Sequence, residues 1–158
     1  MASPGHRLLA LWRRLAPLPG GKWLFSRSLG LTVPYSGSVR PRVLELEPGH
    51  ARVAIRDRRS VRNHLNSVHA IALANVSELA SGLAMTTGLP DGTRGIVVRL
   101  SIEYFKKARG VLIAESRCTV PRVTSDQEHD FVADIHDEAG ELVARTTVTW
   151  RLGPVPPA

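Results

Sequence analysis

The chain has 158 residues, 43% of them hydrophobic and 22% charged, enough for one domain with a buried core and ordinary for a globular protein. Net charge is +7, aromatics make up 5%, and Cys118 is the single cysteine. That cysteine count excludes an internal disulfide and a cysteine-based metal site and points to a reducing, cytoplasmic setting, while so few aromatics leave little for stacking single-stranded bases.

The charge is uneven. Residues 1–62 hold twelve Lys/Arg against three Asp/Glu (net +9), and the remainder holds nine against eleven (net −2). A basic first third suits a membrane surface, the phosphates of a cofactor or nucleic acid, or is simply a solvated face; of these partners nucleic acid is not expected. The opening, Arg7 to Leu15, predicts a short amphipathic helix ended by Pro17 and Pro19, far below the roughly 20 apolar residues of a membrane span. It lacks the apolar core and cleavage site of a secretory signal, and its Arg-rich, acid-free start also resembles an organelle transit peptide. A helix that docks, or weakly touches a membrane surface, is the expectation.

Residues 22–30 predict a second helix closed by Gly30, and Pro34-Tyr35-Ser36-Gly37 a turn. Residues 1–35 thus read as a basic helical extension, 36–152 as the main domain and 153–158 as a tail. Strands follow over 38–47 and 50–57, joined by Pro48-Gly49. From Val68 to Thr87 apolar residues recur at spacings of three and four, and Gly88 and Pro90 end the run. This helix carries one ionisable side chain after His69, namely Glu78, so it is expected to be buried nearly all round and wrapped by the sheet. Strands over 95–105, 111–120, 129–136 and 142–151 complete an α+β order whose tight turns imply a largely antiparallel sheet.

Two features point to chemistry. A lone carboxylate on an apolar helix costs several kcal/mol unless it protonates or finds partners. Glu78 is therefore either a general base with a raised pKa or a group bonded to nearby hydroxyls. The polar loop Asn63-His64-Leu65-Asn66-Ser67 runs into the helix start, where backbone N–H groups around His69–Ile71 could hold an oxyanion. Alternatively, Ser67 or Asn66 simply caps the helix.

The run His69-Ala70-Ile71, with Asn63 six residues before His69 and Glu78 nine after it, resembles the PaaI-type thioesterases of the hotdog superfamily. Those proteins have an Asn, a short gap, His-Gly-Gly, and an Asp or Glu nine residues after the His. Ile102 to Gly110 looks like that family's strand ending in Tyr, followed by an Ala-x-Gly turn. A basic opening helix, Pro34 to Ser38, Arg62-Asn63-His64 and Trp150 extend the likeness to an uncharacterised bacterial hotdog family (a domain of unknown function) over about residues 8–152.

The resemblance implies a hotdog fold, in which a long central helix is wrapped by a curled, largely antiparallel sheet, here with short N-terminal helices. It implies a homodimer or tetramer hydrolysing acyl-CoA or acyl-carrier thioesters to an acid and a thiol. Glu78 would be base or nucleophile, Asn63 would orient water or carbonyl, and the amide of Ala70 or Ile71 would bind the oxyanion. Glu78 of one subunit would face the Asn63 loop of the other. No metal is expected, and no cofactor beyond coenzyme A as part of the substrate.

Some residues depart from the pattern. Ala70 and Ile71 stand where that family has two glycines, which let a substrate approach the backbone, and His64 replaces a common glycine. These changes suit the alternative of a non-catalytic acyl-thioester or lipid-binding module. A dehydratase pairing His69 with Glu78 fits the spacing less well. His69 is a candidate catalytic residue or a holder of the loop; His64 and Asn66 line the candidate substrate site with Ala70 and Ile71. Arg58, Arg59 and Arg62 could grip coenzyme A phosphates, as could Lys106, Lys107 and Arg109, or both clusters are solvated runs. His129 and His136 lack a full set of metal ligands, and no glycine-rich phosphate loop is present.

Overall fold

Three helices precede the first strand, where the sequence predicts two and a turn. The structure, a computed structural model, describes residues 3–155. Helix α1 spans Pro4–Leu15, with Ser3 as its cap: the Ser3 hydroxyl accepts the His6 N–H at 3.2 Å. Helix α2 spans Gly21–Thr32 and α3 Pro34–Ser38. Gly30 does not close α2, and residues 34–37 form a helical turn rather than a bend. Gly30 and Gly37 meet backbone to backbone, so the absence of side chains serves a close approach of α2 and α3 rather than a stop.

The strands are β1 (Arg42–Glu47), β2 (His50–Arg56), β3 (Thr93–Tyr104), β4 (Val111–Arg117), β5 (Gln127–His136) and β6 (Leu142–Pro154). Helix α4, Ala70–Gly88, lies between β2 and β3. One six-stranded sheet has the order β1-β2-β4-β5-β6-β3, every pair antiparallel. The α+β order and the antiparallel sheet are as expected. β1 begins at Arg42 rather than 38, because α3 takes up the preceding residues. Gly49 makes the β1–β2 turn at φ 75°, a conformation that glycine adopts without strain.

Helix α4 lies against all six strands. Its inner face, with Leu73, Val76, Leu79, Ala80 and Leu83, forms one core with Val43, Val53, Ile55, Leu112, Ala114 and Ile135 of the sheet. The first two helices belong to that core. Leu9 and Trp12 of α1 and Phe25 and Leu29 of α2 are buried in it, and the Trp12 and Phe25 rings meet edge-on at 5.1 Å. Thus α1 uses its apolar face on the domain, while Arg7, Arg13 and Arg14 remain exposed. Gly5 lets α1 cross α4 closely; a methyl group there would strike the Thr86 carbonyl. Among the described residues no helix is long and apolar enough to cross a membrane.

Helix α4 is buried nearly all round, as expected, and one stripe of it stays partly open. Ala70, Ala74, Glu78, Gly82 and Thr86, four residues apart, are half-buried, and Ile71 beside them is exposed. Four residues is slightly more than one turn, so these positions form a line that winds slowly round the helix, by about 40° per step.

Candidate active site

The loop before α4 is held by its own polar groups. The Asn63 side-chain oxygen accepts the N–H groups of Leu65 (2.9 Å) and Ser67 (3.2 Å). Asn66 sits in the left-handed region at φ 53°, where Asn is among the most tolerant non-glycine residues. The Ser67 hydroxyl donates to the Ala108 carbonyl and accepts the Ala108 N–H, both at 3.0 Å, tying this loop to the connection after β3. His64 is exposed.

Neither Ser67 nor Asn66 caps the helix. His69 does: its backbone is extended, and its Nδ1 accepts the Ile71 N–H at 3.1 Å. A ring nitrogen that accepts carries no proton, which places the proton of the neutral ring on Nε2. Of the two amides singled out from the sequence, Ile71's is therefore occupied, and Ala70's has no acceptor among the described residues. Tyr104, at the end of β3, donates its hydroxyl to the Ala70 carbonyl at 3.1 Å and braces the first turn of α4. Sequence reasoning leaves Tyr104 out of the site, although its place at the end of the family-like strand is visible there.

Glu78 lies eight residues beyond Ala70, about 12 Å along the helix axis. Its carboxyl makes no ion pair or hydrogen bond among the described residues. Burial pushes it above the usual carboxylate range. One apolar neighbour is Trp150, whose ring packs over Gly82 next to a Glu78 carboxyl oxygen. Trp150 Nε1 donates to Ser81 Oγ at 3.3 Å, and Ser81 Oγ donates to the Glu78 carbonyl at 3.0 Å, so ring and helix are fixed to each other. A half-buried carboxyl without a partner, made more basic by burial, is suited to accept a proton.

The arginines before the loop divide. Arg62 pairs with Asp57 at 2.6 Å, Arg59 is exposed, and Arg58 donates to the Ser38 carbonyl at 3.0 Å. Lys106 is engaged by Asp137 and Glu141, while Lys107 and Arg109 are exposed. Burial pushes the Cys118 thiol up to about 11, so it is not a thiolate nucleophile.

The family model described as "Domain of unknown function (DUF4442)" matches residues 21–152. The chain belongs to the DUF4442 family. The match begins at α2, so that helix is part of the DUF4442 unit as well as of its core. A structural-genomics crystal structure, of a protein with no stated activity, is 29% identical, covers 96% of this chain and 99% of its own, and has a TM-score of 0.81. A Pseudomonas aeruginosa protein of unknown function, described as a probable thioesterase, is 24% identical over 87% of this chain and 97% of its own, with a TM-score of 0.74. A mutant of the phenylacetic acid degradation protein PaaI from Thermus thermophilus is 23% identical over 75% and 97%, with a TM-score of 0.64. The fold of this DUF4442 domain is thus that of the hotdog thioesterases, as the sequence resemblance implied. The comparison with curated proteins finds no match.

Proposed function

We propose that this DUF4442 protein is a thioester hydrolase, acting as a homodimer on acyl-CoA or acyl-carrier thioesters. One observation carries the reading: Glu78 is an unpaired, half-buried carboxyl on the open stripe of α4. In the reaction, the Glu78 carboxylate takes a proton from water as the water oxygen attacks the thioester carbonyl carbon. The developing oxyanion is held by the Ala70 N–H, and collapse breaks the C–S bond, the thiolate taking the proton back from Glu78. The same carboxylate attacking the carbon directly would expel the thiolate and give an anhydride, which water then opens to the acid and the free Glu78 carboxylate. With its oxygen engaged by Leu65 and Ser67, Asn63 has its NH2 group left to orient water or carbonyl.

Two features support the dimer. Glu78 and the Ala70 N–H lie about 12 Å apart along one helix, too far to serve one carbonyl, whereas two helices related by a two-fold axis bring one of each together. β3 is the sheet's terminal strand, beside β6 alone, and exposes Ile96 and Val98, an apolar edge suited to a second copy. Ile96→Lys with Val98→Lys is expected to give monomers in analytical ultracentrifugation and to abolish thiol release, although Glu78 is intact.

A second reading, a module that holds an acyl thioester without cleaving it, is favoured by one feature. Ile71 has an exposed side chain at the helix start and an N–H already bonded to His69. Thiol release from short, medium, long-chain and aromatic acyl-CoAs decides between the two. Turnover of any member supports the hydrolase; a folded dimer that turns over none of them overturns it.

A further inference from the structure

Away from Glu78, a cleft of about 700 Å³ lies between α2, α3 and the strands β1 and β2. Five arginines line it: Arg27, Arg40, Arg42, Arg56 and Arg58. No carboxylate does. Elsewhere on the fold several arginines find acids: Arg52 with Glu45, Arg62 with Asp57, Arg145 with Asp134 and Arg151 with Glu128. Among the described residues, Arg27, Arg40, Arg42 and Arg56 make no side-chain hydrogen bond or ion pair, and Arg58 reaches only the Ser38 carbonyl.

A volume of that size is roughly one Debye length across at physiological salt, so these charges act on each other. Burial, and then the charge of Arg40, hold the Arg58 guanidinium below its ordinary pKa. Arg40 also occupies the left-handed region at φ 50°, a conformation that costs an ordinary side chain about 1 kcal/mol or more and clusters at functional sites. The cleft reaches the close approach of Gly30 and Gly37, where a methyl group on Gly37 would strike the Gly30 carbonyl. At its lining stands Trp23, 61% exposed despite its size.

We infer that this cleft is a binding site for an organic phosphate with two or more phosphoryl groups, gripped by the arginine forks with its organic part against Trp23. Guanidinium groups pair with phosphate oxygens in twos, and a polyanion relieves the repulsion among the five. A planar ring or an aliphatic portion can lie on the indole face. Two sources share this chemistry: the nucleotide end of a coenzyme thioester, which rests on the hydrolase reading, and a phosphorylated lipid headgroup, which does not.

Titration of the full chain with adenosine 3′,5′-bisphosphate, and separately with phosphatidylcholine vesicles with or without phosphatidylinositol 4-phosphate, tests the site and tells the sources apart. At least one ligand is expected to bind and to change Trp23 fluorescence, a change absent in Trp23→Phe. Arg40→Ala with Arg42→Ala is expected to weaken that binding at least tenfold, and so is Arg27→Glu at its exposed helix position. Arg13→Ala with Arg14→Ala, which removes two charges from α1, is expected to leave it unchanged. Binding of the bisphosphate alone identifies a nucleotide source, and binding of the phosphorylated vesicles alone a lipid source. Failure of both ligands to bind overturns the inference, as does an equal loss in the α1 control. Thiol release from an N-acetylcysteamine thioester, which carries no phosphate, is expected to be the same in Arg40→Ala/Arg42→Ala as in the parent. Its absence in the parent counts against the hydrolase and leaves the cleft to be judged by binding alone.

Discussion

Glu78→Gln is expected to lower thiol release from a preferred acyl-CoA by about 10²- to 10⁴-fold, the contribution of a positioned general base. The amide is nearly isosteric, so the fold and the affinity for substrate should persist; a loss below tenfold would remove Glu78 from the centre of the chemistry. The parent's pH profile should rise with an inflection above the usual glutamate range, because burial favours the protonated form. The same shift has an opposite effect on stability. A carboxyl whose folded pKa is raised above its unfolded value contributes most below the unfolded pKa, and that contribution is lost as pH rises through the folded pKa. Glu78→Gln should therefore melt at a higher temperature than the parent at neutral pH, with the difference vanishing in mild acid. Activity down and stability up together distinguish a functional carboxylate from a structural one.

Phe25→Ala should destabilise the fold by about 3–5 kcal/mol, read from chemical denaturation. The Phe25 side chain is fully buried between Trp12 and the common core, so truncation leaves a cavity that two helices must collapse into. A loss below about 1 kcal/mol would show α2 to be a loosely attached extension. If the full loss is seen, α1 and α2 are integral to the domain, and the floor of the arginine cleft is as firm as the core beneath it.

Much of this is legible in the sequence because the signals are local and periodic. Alternation in β6 and the three–four spacing of α4 place both elements within a few residues, and the absence of charge on α4 singles out Glu78. The short motif from Asn63 to Glu78 identifies the fold by likeness. What the sequence hides depends on through-space partners. Gly30 looks like a terminator because its contact, Gly37, forms a helical turn that Pro34-Tyr35-Ser36-Gly37 does not advertise. Histidine is an uncommon cap, so the hold of the His69 ring on the Ile71 N–H shows only in the structure. The cleft arginines fall in α2, after α3, in β1 and near the end of β2, and only folding brings them to one place.

The position of β3 bears on how the chain comes to be folded. Although β3 directly follows α4, its hydrogen-bonding partner is the last strand: Thr93 faces Pro154 and Tyr104 faces Ala144. On a ribosome, β1, β2 and α4 can begin to collapse while β3 waits, its apolar face without a neighbour until β6 emerges. Closing so long a loop is slow, and an unpaired strand is the part of a nascent chain most prone to aggregation. On the hydrolase reading, the proposed site would then be finished last, when β3 has docked and a second copy has met its outer edge, and no partly made chain would carry a working one.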